Sequence, residues 1–313
     1  ASDVYKRQER IVSGIKPTSN LFDHEYELKL SNWIRLQHES ECFFFVADLH
    51  SLFAKDARPE LIEKTTETMI IDWLACGLDP AQATIFVQSK IPEHTEIFTL
   101  LSMITPINWL SKINNLEDVE KSTLTLGNLG QNLMQSADIL LYRATQISGS
   151  ENQISFGKLT SNIVKEFNNL YGKDIGYKEK AKQAIKKLGT KKGHLYEELR
   201  TSYQVKGDEQ VLKSAQSLIE DEQGLSLGDK ERLLGYLEGG GKMILIEPEF
   251  KLQNNESNAI SHNRKSEDYK VKFEQYKESP DLIRSIAADG CEKARKIAKD
   301  TMREVREEMG IDF

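Results

Sequence analysis

Three short runs of β-branched and aromatic residues, at 10–14, 42–47 and 83–88, are apolar without the alternation that a half-exposed strand shows. Unbroken apolarity of this kind predicts strands buried on both faces, as in a parallel sheet. Between the second and third runs, Ile62, Thr66, Met69, Ile70, Trp73 and Leu74 recur at helical spacing, and Gly77 stands where a helix ends in left-handed backbone. These elements form a βαβ unit. A further helix is expected over 93–104, and the run Ala137-Asp138-Ile139-Leu140-Leu141-Tyr142 leads toward a fourth strand at 144–147. The first half therefore reads as a doubly wound parallel α/β domain, a fold that holds ligands at the carboxyl ends of its strands.

Past residue 176 the chain turns to Lys, Glu, Ala, Leu and Gln with helical periodicity, broken by Gly189, Gly193, Gly207 and the run Gly239-Gly240-Gly241. Ser226 and Asp229 have the spacing of a capping box, and Gly239 marks the end of that helix. Residues 254–265 are polar and unpatterned. Ile283, Ile286, Ala287, Ala294, Ile297, Ala298, Met302, Val305 and Met309 then form one apolar stripe. With Ser279 as N-cap, Pro280 at the first position and Gly310 as stop, they predict a helix over 280–309. The expected organisation is a disordered or non-native extension over 1–9, which lacks the apolar core of a secretory signal, and a Rossmann-like domain over 10–175. A helical insertion over 176–248, a linker over 249–279 and a C-terminal helical segment over 280–313 complete it.

A length of 313 residues suits about two domains at roughly 150 residues each. No apolar run is long enough for a transmembrane helix. With 42 basic and 49 acidic residues the net charge is -7, which argues against a chain-wide polycation, so neither DNA nor a membrane is expected as a partner. Cys42, Cys76 and Cys291 lie far apart without metal-ligand spacing, which fits a reduced cytoplasmic setting and no metal site. Against this acidic background, residues 176–206 hold nine Lys or Arg and three Glu. That island is either the solvated face of amphipathic helices or a contact for a polyanion such as a tRNA acceptor stem.

Three positions raise the question of chemistry. The Gly239-Gly240-Gly241-Lys242 stretch is not a phosphate loop, because Tyr236 occupies the first glycine position and Met243 follows the lysine. His50 leaves the second strand at its carboxyl end, where it can meet a ligand or cap the next helix. Asp138 interrupts an apolar run, and since an unpaired buried charge is strongly unfavourable, it needs a donor from a ligand, a backbone or a neighbouring side chain.

Several stretches together resemble one family. Ser13-Gly14-Ile15-Lys16-Pro17-Thr18, Asn32-Trp33-Ile34-Arg35-Leu36-Gln37, residues 42–50, Gln88-Ser89, Ser102-Met103-Ile104-Thr105-Pro106 and Gln135 through the run ending at Tyr142 look like bacterial tryptophanyl-tRNA synthetases, which are class I aminoacyl-tRNA synthetases. Residues 176–248 resemble the helical insertion of a long-form subgroup, and 286–310 the family's C-terminal helix. The resemblance implies a ligase that activates tryptophan with ATP, with Mg2+ accompanying the nucleotide, and transfers it to tRNA(Trp), and it implies a homodimer. By the same resemblance Asp138 would accept the indole N–H, Gln135 and Gln153 would contact the amino acid with His50 close by, and Lys16, Pro17, Thr18 and Glu151 would lie at the ATP site. The family's His-x-Gly-His or His-x-Gly-Asn signature is represented by Phe22, Asp23, His24 and Glu25, its Gly-Glu-Asp-Gln by Ser150-Glu151-Asn152-Gln153, and a histidine a few residues on by Phe156. No Lys-Met-Ser-Lys-Ser loop follows Lys242. The alternative expectation is a catalytically impaired paralogue or truncated derivative that binds ligand or RNA.

Overall fold

The three continuous apolar runs become adjacent strands. In a computed structural model of the protein, which describes residues 9–17, 23–53, 59–113, 125–149, 153–172, 177–206, 208–238, 243–252, 264 and 266–312, β1 (Arg10–Ile15), β2 (Glu41–Val46) and β3 (Ala83–Val87) pair in parallel. β4 (Gln146–Gly149) lies on the other side of β1, and β5 (Glu249–Leu252) joins β4, so the sheet order is β3-β2-β1-β4-β5. The winding direction thus reverses between β1 and β4, where such a sheet opens a crevice beyond its strand ends. The unbroken apolarity of β2 follows from its place inside the sheet, with Phe43, Phe44 and Phe45 all buried.

Chain packing defines two units, one of residues 8–160 with 248–302 and the other of 161–247 with 303–313. In the first, α1 (His24–Leu36) brings Trp33 flat against Phe44 at 4.3 Å and edge-on to Trp73 of α3 (Pro59–Cys76) at 5.1 Å. Gly77 ends α3 at φ 109, as its place in the sequence predicts. The short helix α2 (Asp48–Ser51) follows β2, and α4 (Glu93–Ser102), α5 (Ile107–Ile113) and α6 (Leu126–Leu141) follow β3. The fourth strand starts at Gln146 rather than 144, because Arg143 adopts φ 54 and turns the chain before the sheet. After β4 comes α7 (Ile154–Tyr171).

The second unit carries α8 (Tyr177–Lys187), α9 (Gly189–Lys206), α10 (Glu209–Glu220) and α11 (Leu227–Leu237). They close on a core that includes Ala184, Tyr196, Ala215, Ile219 and Leu233. Ser226 caps α11 by accepting from the Asp229 N–H at 3.2 Å; Gly239 and Lys242 lie outside the described residues.

The segment 249–279, expected as a linker, is instead structural at both ends. It supplies β5 at the sheet edge and α12 (Glu267–Lys277), which packs along α3. Both escape pattern reading for a physical reason: β5 is four residues with none buried, and α12 has no fully buried residue, although Tyr269, Phe273 and Tyr276 pack partly exposed against the core and the Tyr269 hydroxyl donates to Asp72. The last helix, α13 (Pro280–Met309), has the expected bounds. A Cβ at Gly290 would stand 1.8 Å from the Ile85 carbonyl oxygen, so only glycine lets this helix close over the free edge of β3.

Candidate active site

At the reversal point the carboxyl ends of β1, β2 and β4 enclose a cavity of about 290 Å³. Gly14, Ile15 and Lys16 enter it from the end of β1, Ala47 and His50 from beyond β2, and Ile147 and Gln153 from β4 and its exit. A Cβ on Gly14 would lie 2.5 Å from the Phe45 ring, so glycine is what lets that ring cross β1 and form the cavity wall. From α6, Gln131, Gln135 and Asp138 face the same space, one helical turn apart. The cap of α6 is reciprocal, with the Thr125 hydroxyl accepting from the Asn128 N–H and the Asn128 side chain accepting from the Thr125 N–H.

Asp138 is 1% exposed and receives three side-chain donors. His50 Nε2 lies 2.7 Å from Oδ2, and Gln88 Nε2 and His94 Nδ1 lie 2.8 and 2.7 Å from Oδ1. Burial pushes this carboxyl's pKa up, but the neighbouring imidazoles of His50 and His94 and their hydrogen bonds outweigh burial and hold it at about 2. Behind it, the Tyr142 hydroxyl lies 2.7 Å from His94 Nε2, and burial raises the Tyr142 pKa well above the ordinary tyrosine value. The donor demand inferred for Asp138 from its apolar surroundings is thus met by side chains from three other segments.

The opposite end of the cavity is polar and open. The N-terminal end of α1 supplies Asp23, Glu25, Tyr26 and, one turn on from Glu25, Lys29, with the Asp23 carboxylate capping the helix at the Tyr26 N–H, 2.8 Å away. Glu25 pairs with Lys29 at 3.2 Å and is itself 75% exposed. Burial lowers the Lys16 pKa and the Lys29 charge lowers it further, against the pull of Glu25. Two ammonium groups and two carboxylates therefore share this end.

Of the expected site residues, Lys16, His50, Gln135, Asp138 and Gln153 line one cavity, and Gln135 and Gln153 also border a second of about 340 Å³ beside Lys112 and Phe156. Pro17 is buried and does not line the cavity; its carbonyl accepts from the Ser51 hydroxyl at 3.3 Å. Thr18, Phe22 and Glu151 lie outside the described residues. Direct reading of the residues passes over His94 and Tyr142. The one signal for His94 is a histidine in the first turn of a helix that follows a buried strand, and Tyr142 passes for core. Among the described residues no helix is long and apolar enough to cross a membrane.

The model of class I tRNA synthetases (W and Y) matches residues 5–221. The tryptophan–tRNA ligase of Ralstonia nicotianae is 36% identical over 396 aligned residues that take in 97% of this chain and 99% of the relative. That of Thermotoga maritima is 28% identical over 333, with 97% and 100% covered. Because the 396-residue alignment exceeds the 313 residues here, the Ralstonia protein carries residues without counterpart in this chain. Among solved structures, tryptophanyl-tRNA synthetase from Campylobacter jejuni, complexed with ADP and tryptophan, matches with TM-score 0.60 at 20% identity over 96% of this chain and 99% of that one. The Mycoplasma pneumoniae enzyme matches with TM-score 0.60 at 16% identity over 97% and 98%. At these identities the likeness is one of fold.

Proposed function

The chain belongs to the class I tRNA synthetases of the tryptophan and tyrosine group, and on that footing we propose that it is a tryptophan–tRNA ligase with both substrates of activation in the cavity beyond β1. The observation that carries the reading is Asp138. A carboxylate has about four acceptor positions, and three are taken, two on Oδ1 and one on Oδ2. The remaining Oδ2 lone pair is the acceptor offered to an indole N–H, with apolar walls from Phe45, Ile139 and Ile147 to take the ring. Gln135 and Gln153 then meet the amino-acid end, with His50 holding the carboxylate in place.

ATP occupies the α1 end. Lys16 and Lys29 converge there, and a desolvated ammonium beside a second one is relieved by an anion. Asp23, which lines this end, would hold the Mg2+ that accompanies the nucleotide, since that ion binds through phosphates plus one or two carboxylates. The tryptophan carboxylate attacks the α-phosphorus, pyrophosphate leaves, and the tRNA terminal hydroxyl then takes the aminoacyl group from the adenylate with release of AMP. Transition-state charge at phosphorus is what the two ammonium groups would stabilise.

The exposed lysines of α8 and α9, Lys182, Lys186 and Lys191 among them, are the proposed tRNA contact. Reversing Lys186 and Lys191 to Glu lowers tRNA affinity and flattens its salt dependence by about one log unit per log salt for each lysine, while adenylate formation is unchanged. A homodimer is proposed through the apolar side chains Met103, Ile107 and Leu126, which are 67%, 68% and 80% exposed. The compartment is the cytoplasm. Tryptophan-dependent exchange of pyrophosphate into ATP tests the function, with exchange expected only when tryptophan is present. Tryptophan binding without exchange would overturn catalysis in favour of a binding module, and no binding of either ligand would overturn the pocket.

A further inference from the structure

We propose that Tyr142 and His94 are a positioning pair that fixes which imidazole nitrogen faces Asp138, and so keeps the carboxylate's free lone pair on the cavity side. The inference rests on the tryptophan reading of the site and deepens it, because neither residue lines the cavity.

His94 is fully buried, with the rings of Tyr142, Phe45 and Phe86 at 5.3, 5.8 and 6.2 Å. Its Nδ1 faces an ionised carboxylate and must carry a proton to donate. Its Nε2 faces the Tyr142 hydroxyl. If Nε2 also carried a proton, the Tyr142 O–H would have to turn to another acceptor, and among the described residues the structure gives it none. Tyr142 therefore donates, Nε2 accepts, and the ring is neutral with its single proton on Nδ1. This tautomer delivers an N–H to Asp138 without cancelling the negative charge that the indole N–H is to meet. Gln88 shows the same priority. Its amide gives Nε2 to Asp138 while Oε1 stays buried without a partner, since turning the amide over would set oxygen against carboxylate.

Once Tyr142 is replaced by Phe, Nε2 loses its donor, and the ring is free to move its proton to Nε2 or to take a second one. Either change alters the donor presented to Oδ1 and lets the carboxylate rotate. The test has two readouts. Nitrogen-15 NMR of the histidine rings in the wild-type protein at neutral pH is expected to show His94 as the pure Nδ1–H tautomer, and an Nε2–H or doubly protonated ring would overturn the proposal whatever the enzyme's activity. In pyrophosphate exchange, Tyr142→Phe is expected to raise KM for tryptophan about tenfold, the scale of one charge-assisted hydrogen bond, with KM for ATP unchanged. An unchanged tryptophan KM, or equal rises in both, would overturn it. Should the wild type show no exchange at all, the function assigned above fails and the tautomer still decides this proposal.

Discussion

Asp72 and Asp138 are both withdrawn from water, on α3 and α6 of the same unit, yet they are satisfied in different ways. Asp72 receives the Tyr26 hydroxyl at 2.7 Å, the Tyr269 hydroxyl at 2.8 Å and a two-pronged Arg264 guanidinium at 3.0 and 2.7 Å, with the Cys76 thiol at 3.8 Å. All four of its acceptor positions are taken, and it does not line the cavity that Asp138 lines. Asp138 receives three donors, two of them imidazoles, and lines the cavity with no fourth donor seen among the described residues. A saturated carboxylate paired with arginine is a fastener, here joining α1, α3 and the segment that leads into α12. An unsaturated one beside a cavity is a binding group. Burial alone does not separate the two; the count of donors does.

The largest effect is expected at the fastener. Asp72→Asn takes from Arg264 the carboxylate that grips it at two points, with Glu27 remaining 3.0 Å away, and breaking a buried pair from one side costs about 3–5 kcal/mol. Urea unfolding should show that loss, while the exchange rate per folded molecule stays near wild type. A variant that unfolds normally but loses exchange would erase the distinction drawn between the two carboxylates.

At Asp138 the effect moves from stability to kinetics. Asp138→Asn keeps the shape but offers the indole a weaker acceptor and turns an amide toward His50 or His94, so kcat/KM for tryptophan should fall roughly 10²-fold, the upper range for a hydrogen bond to a charged group. The KM for ATP should hold. Equal loss of affinity for both substrates would mean that the cavity collapses and that Asp138, too, is only a fastener.

Acid sharpens the same contrast. The folded-state pKa of Asp138 is about 2, against an ordinary carboxyl value of 3.8. A depressed carboxyl contributes stability that is complete above its unfolded pKa and disappears as pH falls through the folded one. The stability difference between wild type and Asp138→Asn should therefore be constant above about pH 4 and shrink between about pH 4 and 2. A difference that widens on acidification would reverse the sign and refute the assigned shift.

Both carboxylates interrupt equally apolar runs, Met69-Ile70-Ile71-Asp72-Trp73-Leu74 and Ala137-Asp138-Ile139-Leu140, and sequence reading singles out only Asp138. Periodicity shows that a charge must be buried and partnered. It does not show with what, because Arg264 lies 192 positions from Asp72, and His50 lies 88 from Asp138. The βαβ unit, the doubly wound parallel class and helix α13 were legible, since each rests on local patterns of burial and capping. The donors around Asp138 were not, because a histidine in a first turn looks the same whether it faces water or a carboxylate. The strand and helix within 249–279 were hidden because β5 is only four residues long, and because α12 packs Tyr269, Phe273 and Tyr276 on the core while leaving each partly exposed, with a polar clasp through Arg264 and Tyr269 beside them.

The smallest effect tests the polar end, where the comparison turns from buried charges to an exposed one. Glu25 stands in the first turn of α1, where a carboxylate favours the helix through its dipole, yet it lines the space proposed for phosphates and occupies Lys29. Helix stability and nucleotide binding therefore pull in opposite directions at one residue. Glu25→Gln should lower the KM for ATP by about two- to fivefold at low ionic strength, as removal of one exposed like charge implies, at a slight loss of thermal stability. Because the groups are exposed, salt must weaken the gain, and about 0.5 M KCl, where the screening length falls below roughly 5 Å, should abolish most of it. An ATP affinity indifferent to both the substitution and salt would mean that the phosphates lie elsewhere, and the two-ended assignment of the cavity would then stand only at Asp138.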